Sequence, residues 1–118
     1  MDWSIADSRP IWLQLEEQLT KRILSGEYPM GSRMPTVREL AAEAGVNPNT
    51  MQRALSALEG SGLVVTQRTA GRVVTEDQLL IHAARKEQAA GLIAAYLQGM
   101  QNLGFTEEEA RTYLKEGN

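Results

Sequence analysis

Two short helices with a tight joint between them constrain this chain more than any other feature. Thr36-Val37-Arg38-Glu39 reads as a capping box. The Thr36 hydroxyl serves the N–H of Glu39, and the Glu39 carboxylate reaches back to the N–H of Thr36. Val37, Leu40, Ala41 and Ala44 then form one inner face, and Gly45 supplies a left-handed stop. Only Gly45 and Val46 separate this helix from Asn47, a strong N-cap. Pro48 follows at the first helical position, where its missing N–H costs nothing. Two short helices joined this tightly make a helix-turn-helix arrangement.

The second helix of the pair is predicted to run to about Gly60–Gly62. Met51, Ala54, Leu55 and Leu58 face inward, and Asn49, Gln52, Arg53 and Ser56 fall at i, i+3, i+4 and i+7 on the other side. A polar row of this kind is often simply solvated. It also suits a DNA major groove, where Asn or Gln pairs bidentately with adenine and Arg with guanine. One Arg–guanine pair discriminates by ~1–3 kcal/mol. The capped turn before the row and the hairpin after it favour DNA reading.

That hairpin is Leu63 to Gln67 and Arg72 to Thr75, two β-branched runs around Arg68-Thr69-Ala70-Gly71. Placed directly after the helix pair, it reads as a wing. Upstream, Pro10 opens a helix whose stripe is Ile11, Leu15, Leu19 and Ile23, with Trp12 beside it and Ser25-Gly26 at its end. A loop from Glu27 to Pro35 follows.

Several side chains carry two readings. Arg38, on the first turn after Thr36, can meet a phosphate or base edge, or pair with a nearby Glu. Arg68 and Arg72 flank the wing turn and can track the backbone or enter the minor groove; ordinary strand-edge charge explains them nearly as well. Thr36 and Asn47 can touch phosphate, although capping alone accounts for both.

Charge distribution matters more than the net value of −3. Residues 1–75 carry eight basic and eight acidic side chains, residues 76–118 are acidic by three, and the segment 33–72 is positive by two. This is a weak electrostatic footprint for nucleic acid, so binding would depend on placed contacts. The near-neutral first segment leaves open a rival, a winged module that binds protein.

From about Glu76 to Leu103 the pattern is one long helix ended by Gly104. Leu80, Ala84, Leu92, Ile93, Tyr96, Leu97 and Met100 cover more than one of its faces. A helix with so broad an apolar surface must bury it on both sides. Thr106 to Glu109 forms a second capping box, with Phe105 as a staple against Ala110, and opens a short helix bearing Ala110, Tyr113 and Leu114. A symmetric dimer through Leu80, Ala84, Leu92, Ile93, Tyr96, Leu97, Met100 and Tyr113 is expected. A monomer with the last helix folded back is the alternative. A ligand sensor is a further rival, since Tyr96, Met100, Phe105 and Tyr113 could line a pocket, though such side chains at helical spacing are more often packing.

No catalytic centre is expected. His82 is the lone histidine and has no positioned partner in the pattern. Glu107-Glu108-Glu109 sits where a helix dipole favours acids. Cysteine is absent, which removes disulfides and cysteine-based zinc sites and fits a reducing cytoplasm. The first ten residues lack the basic-then-apolar pattern of a leader, and no stretch of 18 apolar residues spans a membrane. A cytoplasmic location without cofactor, metal or membrane partner is expected.

Pro10-Ile11-Trp12-Leu13-Gln14-Leu15, Gly31-Ser32-Arg33-Met34-Pro35-Thr36-Val37-Arg38-Glu39-Leu40-Ala41, Gly45-Val46-Asn47-Pro48-Asn49-Thr50 and Leu58-Glu59-Gly60-Ser61-Gly62-Leu63-Val64 together resemble the GntR family of bacterial regulators. The similarity runs in order over residues 9–75. Val46 to Thr50 and the short tail look like the YtrA subfamily, whose two-helix tail dimerises and whose members are often repressors, frequently of transporter operons. The resemblance implies that Arg38 contacts DNA and that Asn47, Asn49, Thr50 and Gln52 occupy recognition-helix contact positions, with Arg53 adjacent. Gly71 matches the second glycine of the usual Gly-x-Gly wing tip. Thr69 stands in place of the first, and Arg72-Val73 replaces the usual Thr-Phe, so the tip departs from the family pattern.

The fold expected is mostly α with a small β-hairpin: a winged helix-turn-helix over residues 1–75, then a two-helix dimerisation tail over 76–118. The function expected is sequence-specific regulation of transcription, as a homodimeric repressor on an inverted-repeat operator. The effector, if one exists, is not identified by the sequence.

Overall fold

A computed structural model describes residues 3–5 and 7–117. Helices α1 (Ile11–Leu24), α2 (Val37–Ala44) and α3 (Pro48–Ser61) precede a hairpin of β1 (Val64–Gln67) and β2 (Gly71–Val74). Helices α4 (Gln78–Asn102) and α5 (Glu107–Glu116) follow. The molecule is mostly helical with one small antiparallel hairpin, as the sequence leads one to expect. It forms two compact units that divide between His82 and Ala83.

In the first unit, α1, α2 and α3 share one core. Leu15, Leu19, Ile23, Leu40, Ala41, Met51, Ala54, Leu55 and Leu58 are buried, joined by Val64, Val73 and Val74 from the hairpin. Burying a Leu or Val side chain stabilises by roughly 1.5–3 kcal/mol, so this cluster supplies most of the unit's driving force. Ile11 departs from its expected stripe: it is 46% exposed, because the first turn of α1 reaches past the core. Met34 and Ile81 are buried, although no periodic pattern marks them.

The α2–α3 joint follows from its caps. Thr36 and Glu39 form the reciprocal box, each bond at 3.1 Å. Gly45 ends α2 at φ +71°, a conformation that strains any L side chain. Its N–H bonds the Ala42 carbonyl and that of Val46 bonds the Ala41 carbonyl, so both loose carbonyls are satisfied. Asn47 then caps α3 by accepting from the Asn49 N–H at 2.7 Å.

The hairpin is wider than its two strands. Residues 31–34 run along β2: Met34 N–H bonds the Arg72 carbonyl, Val74 N–H bonds Ser32, and Gly31 N–H bonds Val74. The wing is thereby bonded to the loop that delivers α2. Its connection, 68–70, closes with Gly71 at φ +75°. Thr69 has no positive φ, so the tip folds without the first glycine of the family pattern.

Arg22 on α1 is an unexpected member of the interior, 2% exposed. Its guanidinium lies 3.8 Å from the Trp3 ring centroid, within 3.6 Å of Glu43 and 3.5 Å of Glu27, and 3.3 Å from the Tyr28 hydroxyl. Trp3 also donates to Glu43 at 3.4 Å. The cluster ties the segment before α1 to the end of α2.

Asp77 starts α4, accepting the Leu80 N–H at 3.1 Å. In the second unit, Gly104 N–H bonds Gln101 and Phe105 N–H bonds Met100, turning the chain into α5. Thr106 and Glu109 form the second capping box. The Tyr96 hydroxyl donates to the Ala110 carbonyl at 2.6 Å, and the Phe105 ring meets Tyr113 edge-on at 5.1 Å. Of the described residues in this unit only Ala110 is buried. No described helix is long and apolar enough to cross a membrane.

Candidate nucleic-acid interface

The polar row on α3 is produced by the core on its other side. With Met51, Ala54, Leu55 and Leu58 buried, the helical period turns Asn49, Gln52, Arg53 and Ser56 outward together. All four are exposed. The Gln52 amide sits 3.5 Å from the Ser56 hydroxyl, a contact too long to occupy it. Thr50 is half-buried beside the row, and Asn47 is exposed at its N-terminal end with its side chain engaged in the cap.

Arg53 does not wave free. Its guanidinium carbon lies 4.4 Å from the centroid of the Trp12 ring on α1. The ring meets one side of the guanidinium, whose five N–H donors leave others directed away from it.

Among the described residues, the arginines of this unit fall into two sets. Arg9 pairs with Asp7 and Glu17, Arg22 with Glu27 and Glu43, and Arg72 with Glu59. Arg33, Arg38, Arg53 and Arg68 are exposed and make no ion pair with a carboxylate. A cation without an internal counter-charge remains available to an external anion such as phosphate.

Arg38 projects from the first turn of α2, beside the exposed Thr36. In the cap the Thr36 hydroxyl accepts the Glu39 N–H and also stands against the Glu39 carboxylate. The two Thr36 bonds, that from its backbone N–H first, hold the Glu39 carboxyl below the usual glutamate range. Arg68 is exposed in the wing turn, with Gly71 exposed at its end. Arg72 is half-buried, and its Nε donates to the Glu59 carboxylate near the end of α3. That pair anchors the wing to the polar helix.

Between the wing turn and the start of α2 lies a groove of about 410 Å³, lined by Arg33, Thr36, Thr69, Gly71 and Arg72 among others. Arg33 is a member that periodicity does not reveal. Its backbone pairs with Val73, which places it beside the wing. The only signal in the sequence is its place just before Met34-Pro35-Thr36.

The tail residues distribute unevenly. Leu80 belongs to the first unit, where its side chain comes up against Gly62. Ala84, Tyr96, Leu97 and Met100 are half-buried within the second, and Tyr113 is exposed at one edge of its ring pair. Leu92 and Ile93 stand out at 73% and 52% exposure, and Leu103 and Leu114 are similarly open. Tyr96 and Phe105 pack against α5, through the Ala110 carbonyl and the Tyr113 ring. Among the described residues, no cluster of three or more His, Asp or Glu could hold a metal ion.

Comparison with known proteins places this geometry. Residues 12–74 match the family described as bacterial regulatory proteins, gntR family. The HTH-type transcriptional regulator YhcF of Bacillus subtilis is 34% identical over 92% of this chain and 90% of its own length. The HTH-type transcriptional repressor YtrA of the same organism is 37% identical over 59% of this chain and 54% of its own. A solved GntR-family transcriptional regulator from Listeria monocytogenes superposes with a TM-score of 0.85 at 33% identity, covering 95% of this chain and 98% of that one. This chain belongs to the GntR family of bacterial regulators, and is a DNA-binding regulator of transcription rather than an enzyme.

Proposed function

We propose that this regulator is a homodimeric repressor that reads an inverted-repeat operator with α3 and clamps the backbone with α2 and the wing. The observation that carries the reading is the exposed row Asn49, Gln52, Arg53 and Ser56, together with cations that no carboxylate among the described residues neutralises. Asn49 and Gln52 suit adenine, and Arg53 suits guanine. Thr36, Arg38, Asn47 and Thr50 flank the row where a phosphate strand would pass. Arg33 and Arg68 serve the same strand at the wing, with Gly71 setting the turn and Arg72 fixing its aim.

Dimerisation is supported by what the tail lacks. A helical tail whose described residues beyond His82 bury a single alanine cannot stand alone, since isolated helices gain stability by packing an apolar face. A second copy of the tail, meeting Leu92, Ile93 and their neighbours, supplies that partner in a closed two-fold assembly. Two copies of α3 would then enter major grooves about one helical turn apart. Repression follows from occupying promoter DNA, and a cytoplasmic location follows from that role.

The test is selection of bound duplexes from a random pool, then anisotropy titration at several salt concentrations. A two-fold-symmetric selected site with affinity that falls steeply as salt rises supports the proposal. Recovery of unrelated sequences bound equally well would refute it.

A further inference from the structure

We propose that Trp12 is a specificity-determining residue of this regulator, a positioning residue that holds Arg53 ready for the groove. The proposal deepens the α3 reading above and rests on it. Arginine loses more rotamer freedom than nearly any side chain when it is fixed, so a free Arg53 would give back much of what a base contact gains. The Trp12 indole removes part of that freedom before DNA arrives, because the Arg53 guanidinium already lies 4.4 Å from its ring centroid.

The chemistry of the contact makes the two roles compatible. A cation–π stack engages the face of the guanidinium, whereas a guanine is read by its in-plane N–H fork. With its guanidinium carbon over the Trp12 ring, Arg53 can therefore keep its platform while it pairs. Arg72 shows the opposite case: its Nε is spent on Glu59, so part of its fork is committed inside the protein. An aliphatic residue at 12 would fill space beside α3 but would not hold a cation. The platform is carried on α1, which Leu15 and Leu19 fix in the core, so its position does not depend on a loop.

The test uses a duplex selected from a random pool by the wild-type protein, with wild type, Trp12→Leu, Trp12→Tyr, Arg53→Ala and the Trp12→Leu/Arg53→Ala double variant. Trp12→Leu should weaken binding to the selected duplex by about three- to tenfold, the range of a cation–π contact that becomes desolvated. The loss should fall on the base pair whose replacement no longer matters to Arg53→Ala. Trp12→Tyr should recover most of it, and Trp12→Leu should add nothing once Arg53 is gone. A loss that persists in the double variant, or that weakens selected and unselected duplexes alike, overturns the proposal. A second readout needs neither DNA nor a change at Trp12. In a Trp3→Phe background, Arg53→Ala should alter Trp12 emission, and unchanged emission overturns the stack itself. Failure of wild type to prefer any sequence would defeat base reading by α3, whereas intact preference with additive variants defeats only the role of Trp12.

Discussion

Arg72 of the wing donates through Nε to the carboxylate of Glu59, near the end of α3. The bond joins two elements that no helix or sheet ladder connects. It sets where the wing tip stands relative to the polar row. Both partners are largely shielded, so the pair is worth more than an ordinary surface ion pair, about 1 kcal/mol. Glu59→Ala and Arg72→Ala should each lower stability by about that amount and accelerate hydrogen exchange in β1 and β2. Exchange confined to the chain ends would count against this role for the pair.

Arg22 invites a larger effect. Removing it leaves Glu27 and Glu43 near the surface, where water can recover them, so the loss is chiefly packing beneath Trp3. Arg22→Ala should destabilise by about 2–3 kcal/mol in a urea titration. Glu43→Ala should cost less, because Arg22 keeps Glu27 and the Trp3 ring. Equal losses from the two substitutions would show that the ion pair, and not the packing, dominates.

Gly45 tests the joint between α2 and α3. Nothing lies within 4 Å of a Cβ built there, so the penalty of Gly45→Ala is strain at φ +71° alone. A loss of about 1–2 kcal/mol, visible as a lower thermal midpoint, is expected. A neutral or stabilising substitution would mean that the turn adopts another conformation.

The Glu39 cap predicts a pH dependence of definite sign. Its folded carboxyl is held below the ordinary value by the Thr36 N–H and hydroxyl. The stabilisation is complete above the ordinary glutamate pKa and is lost as pH falls through the depressed folded value. Wild type minus Glu39→Ala should therefore shrink on acidification, as read from thermal melts between pH 7 and pH 3. A difference that grows toward low pH would contradict the assignment.

The tail offers a direct test of assembly. Leu92→Asp with Ile93→Asp places two charges on adjacent open apolar positions in the middle of α4. Sedimentation should show a dimer for wild type and a monomer for the variant, with DNA affinity of the variant reduced by tenfold or more if two half-sites are no longer held together. An unchanged sedimentation coefficient would remove this face from the interface.

Much of the winged unit is legible in the sequence because its signals are local. Thr36 with Glu39, Gly45, and Asn47 with Pro48 each fix a helix end within three residues, and the inward set Met51, Ala54, Leu55 and Leu58 follows from one period. What is hidden depends on pairs far apart in the chain. Arg72 and Glu59, Arg53 and Trp12, Arg22 and Trp3 meet only after the helices pack. Arg22 reads as a surface cation at the end of α1, since a charged residue there also suits the helix dipole. Ile11 fits the stripe by spacing yet lies beyond the core. The apolar positions of the tail are equally legible, but spacing alone does not say what covers them.

Base reading by the outward row of α3 is tested most directly with Gln52→Ala. Its affinity for the selected duplex and for single-base variants would be measured by anisotropy against wild type. Binding of the selected site should fall by roughly five- to a hundredfold, the value of one bidentate base contact, while one base position loses its preference and unselected duplexes bind as before. Unaltered selectivity at every position, with Gln52 removed, would contradict the account.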